Sequence, residues 1–342
     1  MERVGAIRCL VAAVLFGASA PAASVLAGEM PAVALAGLLY LGAALAVLPV
    51  SARRPPDRDA LRAGWAPITV AVVAGGALGP ALLVAGLART DAATGSIMLN
   101  LELVATVALA ATFFREHLGP RVLAGAALVT IGGVLLVWQP GASLDVGALL
   151  IAGACLCWGL DNCVTARLDH LAPEHVVLIK GAVAGTANLS LGLTVARGAG
   201  SGVDAGEIVA ALLIGAAGYG ASITLWVKGA RDLGAARGQL VFATAPFIGA
   251  LIAWLTLEDP VRGAQLAAML LAAAGVAVSL RSAHEHTHHH DPIVHEHEHI
   301  HDDGHHEHRH DDAEARGSHR HTHPAIVHSH PHVPDLHHRH EH

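Results

Sequence analysis

The chain has 342 residues, of which 53% are hydrophobic and only 14% charged, with a mean hydropathy of +0.50. That charge fraction is far below the roughly 25% of soluble domains, and a water-soluble fold of this length has no way to hide so much apolar surface. The net charge of −7 belongs to the last stretch: residues 282–342 hold 12 acids and 4 arginines, while the rest of the chain holds 16 acids and 17 bases; no Lys/Arg cluster is interleaved with aromatics, so a nucleic-acid partner is excluded.

Charges and Gly/Pro breaks divide the first 281 residues into ten apolar spans: 5–27, 32–51, 64–88, 92–114, 119–138, 147–167, 175–196, 206–228, 235–257 and 262–281. Each is close to the roughly 20 residues that cross a bilayer as a helix. Span one mimics a signal peptide, with Arg3, Arg8 and then Ala18-Ser19-Ala20, but its apolar run continues to Ala27 and reads as an uncleaved first span. The junctions at 28–31 and 89–91 are so short that the helices they join are antiparallel neighbours. Cys9, Cys155, Cys157 and Cys163 all fall in apolar segments and read as packing residues, with no disulfide framework.

With the N-terminus placed inside, thirteen Lys/Arg fall in inner segments and three, Arg89, Arg197 and Arg262, in outer ones. This bias predicts both termini in the cytosol. The chain also repeats itself at a spacing of about 142 residues. Phe16-Gly17 matches Trp158-Gly159, Gly86 to Gly95 matches Gly229 to Gly238, Glu116 matches Glu258, and Gly133 matches Gly275. Each half has five spans, an odd number, so the second half is expected to be inverted, as in many secondary transporters. The expected fold is therefore an all-α integral membrane protein of ten helices in two inverted five-helix repeats, 5–138 and 147–281, followed by a disordered His-rich tail, 282–342.

These features resemble a known family. The aromatic-Gly pair opening each half, the Gly-x-Ala-Arg linkers and the acids closing spans four and nine are similar to the pattern of EamA-type transporters of the drug/metabolite transporter superfamily. So are Leu99-Asn100-Leu101-Glu102, Trp158-Gly159-Leu160-Asp161-Asn162 and Ala243 to Ala250. The resemblance covers about residues 5–281. It implies ten spans, two repeats and movement of small molecules across a bacterial inner membrane. Phe16 departs from the usual Trp, and the tail lies outside the pattern.

Ionisable groups in hydrocarbon are costly, so each one inside a span is a functional candidate. Asn100 and Glu102 lie on span four, Asp161 and Asn162 on span six beside Trp158, and Lys180 and Asn188 on span seven. These seven form the expected transport path. An Asp161–Lys180 ion pair would exchange with substrate or proton, and Glu102 is the expected proton-coupled carboxylate. Helix breaks near the site are expected at Pro21, Gly79, Pro80, Gly218, Gly220 and Pro246, because interruptions at corresponding places in two halves mark a central binding site. Spans five and ten, rich in Ala and Gly, read as packing or lipid-facing helices.

The tail holds 23 of the 26 histidines. It has too few apolar residues to build a core, and imidazole suits nickel, cobalt, zinc and copper. The expected ligands are His284, His286, His288, His289, His290, His295, His297, His299, His301, His305, His306, His308 and His310, with affinity falling below about pH 6 as the rings protonate. His117, His170 and His175 all fall on the cytosolic side. A flexible tail of this length, spanning roughly 40–47 Å, would reach them.

The leading expectation is a secondary transporter that exports small solutes by alternating access in the inner membrane. It needs no cofactor, and its partners are the lipid bilayer and a small-molecule or metal-ion substrate. The alternatives are divalent-metal efflux fed by the tail, and a non-transporting membrane protein that senses or buffers metal. No nucleophile–base set, phosphate loop or HExxH motif points to an enzyme. Nothing in the pattern separates a monomer from a homodimer.

Overall fold

A computed structural model describes residues 2–114, 120–137, 145–165, 168, 171–198, 204–233 and 241–280, together with the tail segments 284–290, 293–299, 317–323 and 326–332. The chain divides into two units, Met1–Ser282 and Ala283–His342. Among the described residues of the first, eight helices are long and apolar enough to cross a membrane, and two shorter apolar helices, Ala245–Thr256 and Gly263–Val278, stand where spans nine and ten are predicted. In lipid a spanning backbone must satisfy its own polar groups, which the helix does within one segment.

The helices turn bulky side chains outward and small ones inward. On span one (Glu2–Leu26) Val4, Ile7, Val11 and Val14 are exposed at helical spacing, while Ala12, Ala13, Ala20 and Ala23 are buried. This is the pattern of a bundle whose outer solvent is hydrocarbon and whose helices approach through small residues. Span two (Ala32–Arg53) and span seven (Pro173–Gly198) pack on each other in this way. A Cβ added at Gly37, Gly185 or Gly192 would run into the facing helix.

The contacts of spans one and six, and those of spans two and seven with the widened helices, occur twice. Span six (Val146–Thr165) packs on spans three and four; span one, its counterpart, packs on spans eight and nine. Span seven packs on the middle of span three, and span two on the middle of span eight. Span five (Pro120–Val137) packs on span ten (Gly263–Leu280), in keeping with their Ala/Gly-rich sequences.

The structure departs from the expected spans in several places. Span four is broken: helix Ala92–Met98 ends in a turn at Leu99–Asn100 before helix Leu101–Phe114. Span nine has a turn two residues beyond the matching place, at residues 243–244, before Ala245–Thr256. In both turns the amide reaches back three residues, Asn100 to Ile97 at 3.1 Å and Thr244 to Val241 at 3.2 Å. Pro21, expected to break span one, lies inside an unbroken helix. A short helix, Arg58–Ala63, capped by Asp57, occupies the loop before span three.

In the tail unit the described segments pair as strands: β1 (His284–His290) with β4 (Ile326–His332), and β2 (Ile293–His299) with β3 (Gly317–His323), both antiparallel. Alternating His-x-His sequence has the period of a strand, although a two-stranded ribbon is marginal by itself.

Candidate functional site

Span three builds the site. Between helices Trp65–Val70 and Gly79–Leu87 its backbone widens into a π-helix over Ala71–Leu78. Span eight does the same over Ala216–Ala221, between Ala205–Gly215 and Ser222–Leu233. Widened turns of this kind are frequent at functional sites. Pro80 is not the common cause, because Ile223 stands at the matching position of span eight. Glycines are shared: Gly75 and Gly76 in one, Gly218 and Gly220 in the other.

The first π segment is held by side chains from three other spans. The Gly75 carbonyl accepts from Tyr40 Oη at 2.6 Å and from Trp158 Nε1 at 3.0 Å, and the Ala77 carbonyl accepts from Asn188 Nδ2 at 3.0 Å. Trp158 Nε1 also lies 3.4 Å from Tyr40 Oη. All three side chains are buried, so each donor finds an acceptor where water is absent.

Asp161 rests against this segment. Its carboxylate forms an ion pair with the Lys180 ammonium and accepts from Thr165 Oγ1 at 3.0 Å. Asp161 is 4% exposed. A Cβ on Gly75 would fall on that carboxylate, which explains why glycine stands there. The break in span four does the remaining positioning. Asn100 Nδ2 donates to the Ile97 carbonyl at 2.8 Å across the turn. Glu102 opens the next helix, and its Oε1 accepts from Asn162 Nδ2 at 2.8 Å. Asn162 Nδ2 also reaches Thr106 Oγ1 at 3.3 Å. Asp161 is sealed, Glu102 half-buried and Asn162 exposed, so the polar cluster has one open edge.

The second half supplies an aromatic flank. Phe16 meets Tyr219 edge-on with ring centroids 5.9 Å apart and Phe242 at 5.3 Å. Tyr219 lies 5.7 Å from Tyr40, and Trp226 lies 5.7 Å from Phe242. Such pairs add specificity beyond the area they bury. Gly218 packs on Ser19 as Gly75 packs on Asp161.

The structure thus brings Glu102 to Asn162, Asp161 to Lys180, and Trp158 and Asn188 to the π segment; Asn100 shapes the break instead of facing a neighbour. Gly79 meets the Trp158 ring, Gly220 meets span two, Pro80 begins the helix after the first π segment, and Pro246 begins the helix after the span-nine turn. Tyr40, Tyr219, Phe242, Trp226 and Thr106 escaped the sequence reading. A signal existed for two of them: these are the chain's two tyrosines, each inside an apolar span where its hydroxyl needs a partner.

The metal expectations fare differently. His117, His170, His301, His305, His306, His308 and His310 lie outside the described residues. His175 is buried and its Nε2 donates to the Arg54 carbonyl at 2.5 Å, a packing tie between spans two and seven rather than an open ligand. Among the described residues no three His, Cys, Asp or Glu converge as a metal centre. His284, His286, His288, His289, His290, His295, His297 and His299 lie on β1 and β2.

The EamA-like transporter family model matches residues 3–138 and again 145–281. An uncharacterized protein of Pseudomonas aeruginosa is 29% identical over 71% of this chain and 81% of its own length. An uncharacterized transporter of Methanothermobacter thermautotrophicus is 25% identical over 54% of this chain and 55% of its own length. A protein of known crystal structure superposes over 82% of this chain and 97% of its own with a TM-score of 0.57 at 21% identity, a likeness of fold. Doubled matching, widened helices in both halves and a polar cluster between them agree with one another: this chain belongs to the EamA-like transporter family, membrane transporters of the drug/metabolite superfamily.

Proposed function

We propose that the protein exports a small polar solute from the cytosol across the bacterial inner membrane, by alternating access around the Asp161–Lys180 and Glu102–Asn162 cluster. The observation that carries this reading is a buried ion pair lodged against an interrupted helix, next to a half-open carboxylate–amide pair. Two carboxylates and one ammonium suit a zwitterionic solute: its ammonium goes to Glu102, and its carboxylate competes with Asp161 for Lys180. An ion pair that must trade partners tolerates burial in each state, whereas an unpaired charge does not. Both termini are assigned to the cytosol on the thirteen-to-three bias of Lys/Arg. The test is counterflow in proteoliposomes against a panel of amino acids, other small zwitterions and divalent metals. Export of a zwitterion that Lys180→Met and Glu102→Gln both abolish supports the reading; a solute moved equally well by both variants overturns it.

A second reading is favoured by the tail's register. β1 and β4 set His284 opposite His332, His286 opposite His330 and His288 opposite His328; β2 and β3 set His295 opposite His321 and His297 opposite His319. Opposed positions are close enough for two imidazoles to share one ion. In this reading the tail collects nickel, cobalt or zinc and the spans export it, or the tail buffers metal and the spans move something else. A chain ending at Ser282 separates these: metal export lost on truncation favours delivery by the tail, and solute export retained favours the first reading.

A further inference from the structure

A third polar cluster lies away from the site, where the start of span four meets the junction of spans nine and ten. Gln265 on span ten is 1% exposed and uses both ends of its amide. Its Oε1 accepts from Trp254 Nε1 at 3.3 Å and from the Arg262 backbone amide at 3.0 Å. Its Nε2 donates to Asp91 Oδ1 at 2.7 Å and to Thr94 Oγ1 at 3.0 Å. The Arg262 guanidinium pairs with the other Asp91 oxygen at 2.8 Å. Asp259 accepts from the Ala93 amide at 2.9 Å, so two carboxylates, one from each half, cap the same helix start. Glu258, at φ 55°, ends the preceding helix in the left-handed region and turns Asp259 toward it.

Four of these bonds cross from the second half to the first: those of Gln265 Nε2 to Asp91 and Thr94, of Arg262 to Asp91, and of the Ala93 amide to Asp259. In alternating access the two halves separate at one face at a time, so these bonds must break whenever this face opens. The repeat does not carry these residue types over to the matching positions. By the repeat spacing, Gly234 stands where Asp91 stands, and Leu123 where Gln265 stands. Both the carboxylate and the amide are missing there.

We propose that Asp91, Gln265 and Arg262 form a latch, which holds this face shut at rest and must open in every transport cycle. The inference rests on the transporter reading above, and it gives that reading a resting state. With the termini in the cytosol the latch lies on the outer face, so the resting protein presents its site to cytosolic solute. On opening, the buried Gln265 amide loses its two partners on span four, Asp91 and Thr94, and a ligand or gradient has to offset that loss through its own preference for the open state.

The test reads conformation without a substrate. Ser96 lies just inside the latch on span four, is 1% exposed and faces Gly249 of span nine. A full-length chain carrying Cys9→Ala, Cys155→Ala, Cys157→Ala, Cys163→Ala and Ser96→Cys is reacted in sealed vesicles with a membrane-impermeant thiol reagent, from each face separately. The latch predicts slow labelling in this parent. Gln265→Leu should raise the rate from the latch face on the order of tenfold or more, which is what losing a hydrogen bond to a charged group allows. Asp91→Asn, which keeps an acceptor for Gln265 and loses the ion pair, should give a smaller rise, and the rate from the opposite face should fall or stay level. Labelling within about twofold of the parent for both variants, in protein that melts like the parent, overturns the latch. If Gln265→Leu fails to fold, Asp91→Asn and Arg262→Gln decide the matter by the same criterion. Faster labelling in a protein that moves no zwitterion keeps the latch and rejects the proposed solute; unchanged labelling in a protein that does move it keeps the solute and rejects the latch.

Discussion

The two halves share their backbone interruptions but not their chemistry. Both have a π segment in the third helix, and both have a turn in the fourth. Yet Asp161 corresponds to Ser19, Asn162 to Ala20, Trp158 to Phe16, Lys180 to Leu38, Asn188 to Ala46 and Glu102 to Thr244. The polar cluster gathers around one π segment, and aromatic rings gather around the other. Duplication therefore explains the moving parts, which both halves need, and leaves the surroundings of one π segment free to specialise in charge. A charged site on the pseudo-twofold would come as a like-charged pair; placing it to one side avoids that repulsion.

Substitutions in both halves break or sharpen this comparison. The largest effect is expected from Lys180→Met, which strands the Asp161 carboxylate and should cost about 3–5 kcal/mol, seen as a large loss of melting temperature and of transport. Adding Asp161→Asn should restore the fold and leave transport absent. At the matching position Ser19→Ala should cost only about 1 kcal/mol, because that hydroxyl bonds the Phe16 carbonyl of its own helix and the Tyr219 hydroxyl and holds no charge in place. Next come the paired glycines. Gly75→Ala and Gly218→Ala each force a Cβ into the opposite helix, at about 1–3 kcal/mol by overpacking. Ser19→Gly should rescue Gly218→Ala in a melting assay, and failure of that rescue would show that the second π segment tolerates no side chain for another reason. Glu102→Gln keeps an acceptor for Asn162 and should change stability by less than about 1 kcal/mol, while solute flux falls at least tenfold; undiminished flux would remove Glu102 from the path. The smallest effect is Glu258→Gly. Relief of a left-handed backbone should leave the melting point level or raise it by the equivalent of up to about 1 kcal/mol, and a clear drop would mean that the Glu258 side chain has a role of its own.

Much of this was legible in the sequence because hydrocarbon makes each polar residue conspicuous. Asp161 and Lys180 stood out as charges in apolar runs, and the structure pairs them. The repeat stood out because its landmarks, the aromatic-Gly pairs and the linker glycines, are few and evenly offset. The break at Leu99–Asn100 did not stand out, since it contains neither proline nor glycine and depends on an Asn side chain folding back onto its own helix. Pro21 misled for the opposite reason: a helix can absorb one proline when neighbouring helices support it. Gln265 was invisible because an amide near a span end reads as ordinary polar trim; only tertiary contact reveals that both of its ends are occupied.

Spans two and seven lie against each other, and so do five and ten, each pair drawing one member from either half. Neither half therefore possesses a finished surface. A five-helix piece on its own would present two faces of small residues to lipid, with nothing to fill the shallow grooves they leave. It would be completed only by a second copy inserted upside down. A chain cut at the connection between the halves should still assemble when both pieces are made together, and each piece made alone should be cleared by the cell as an orphan subunit.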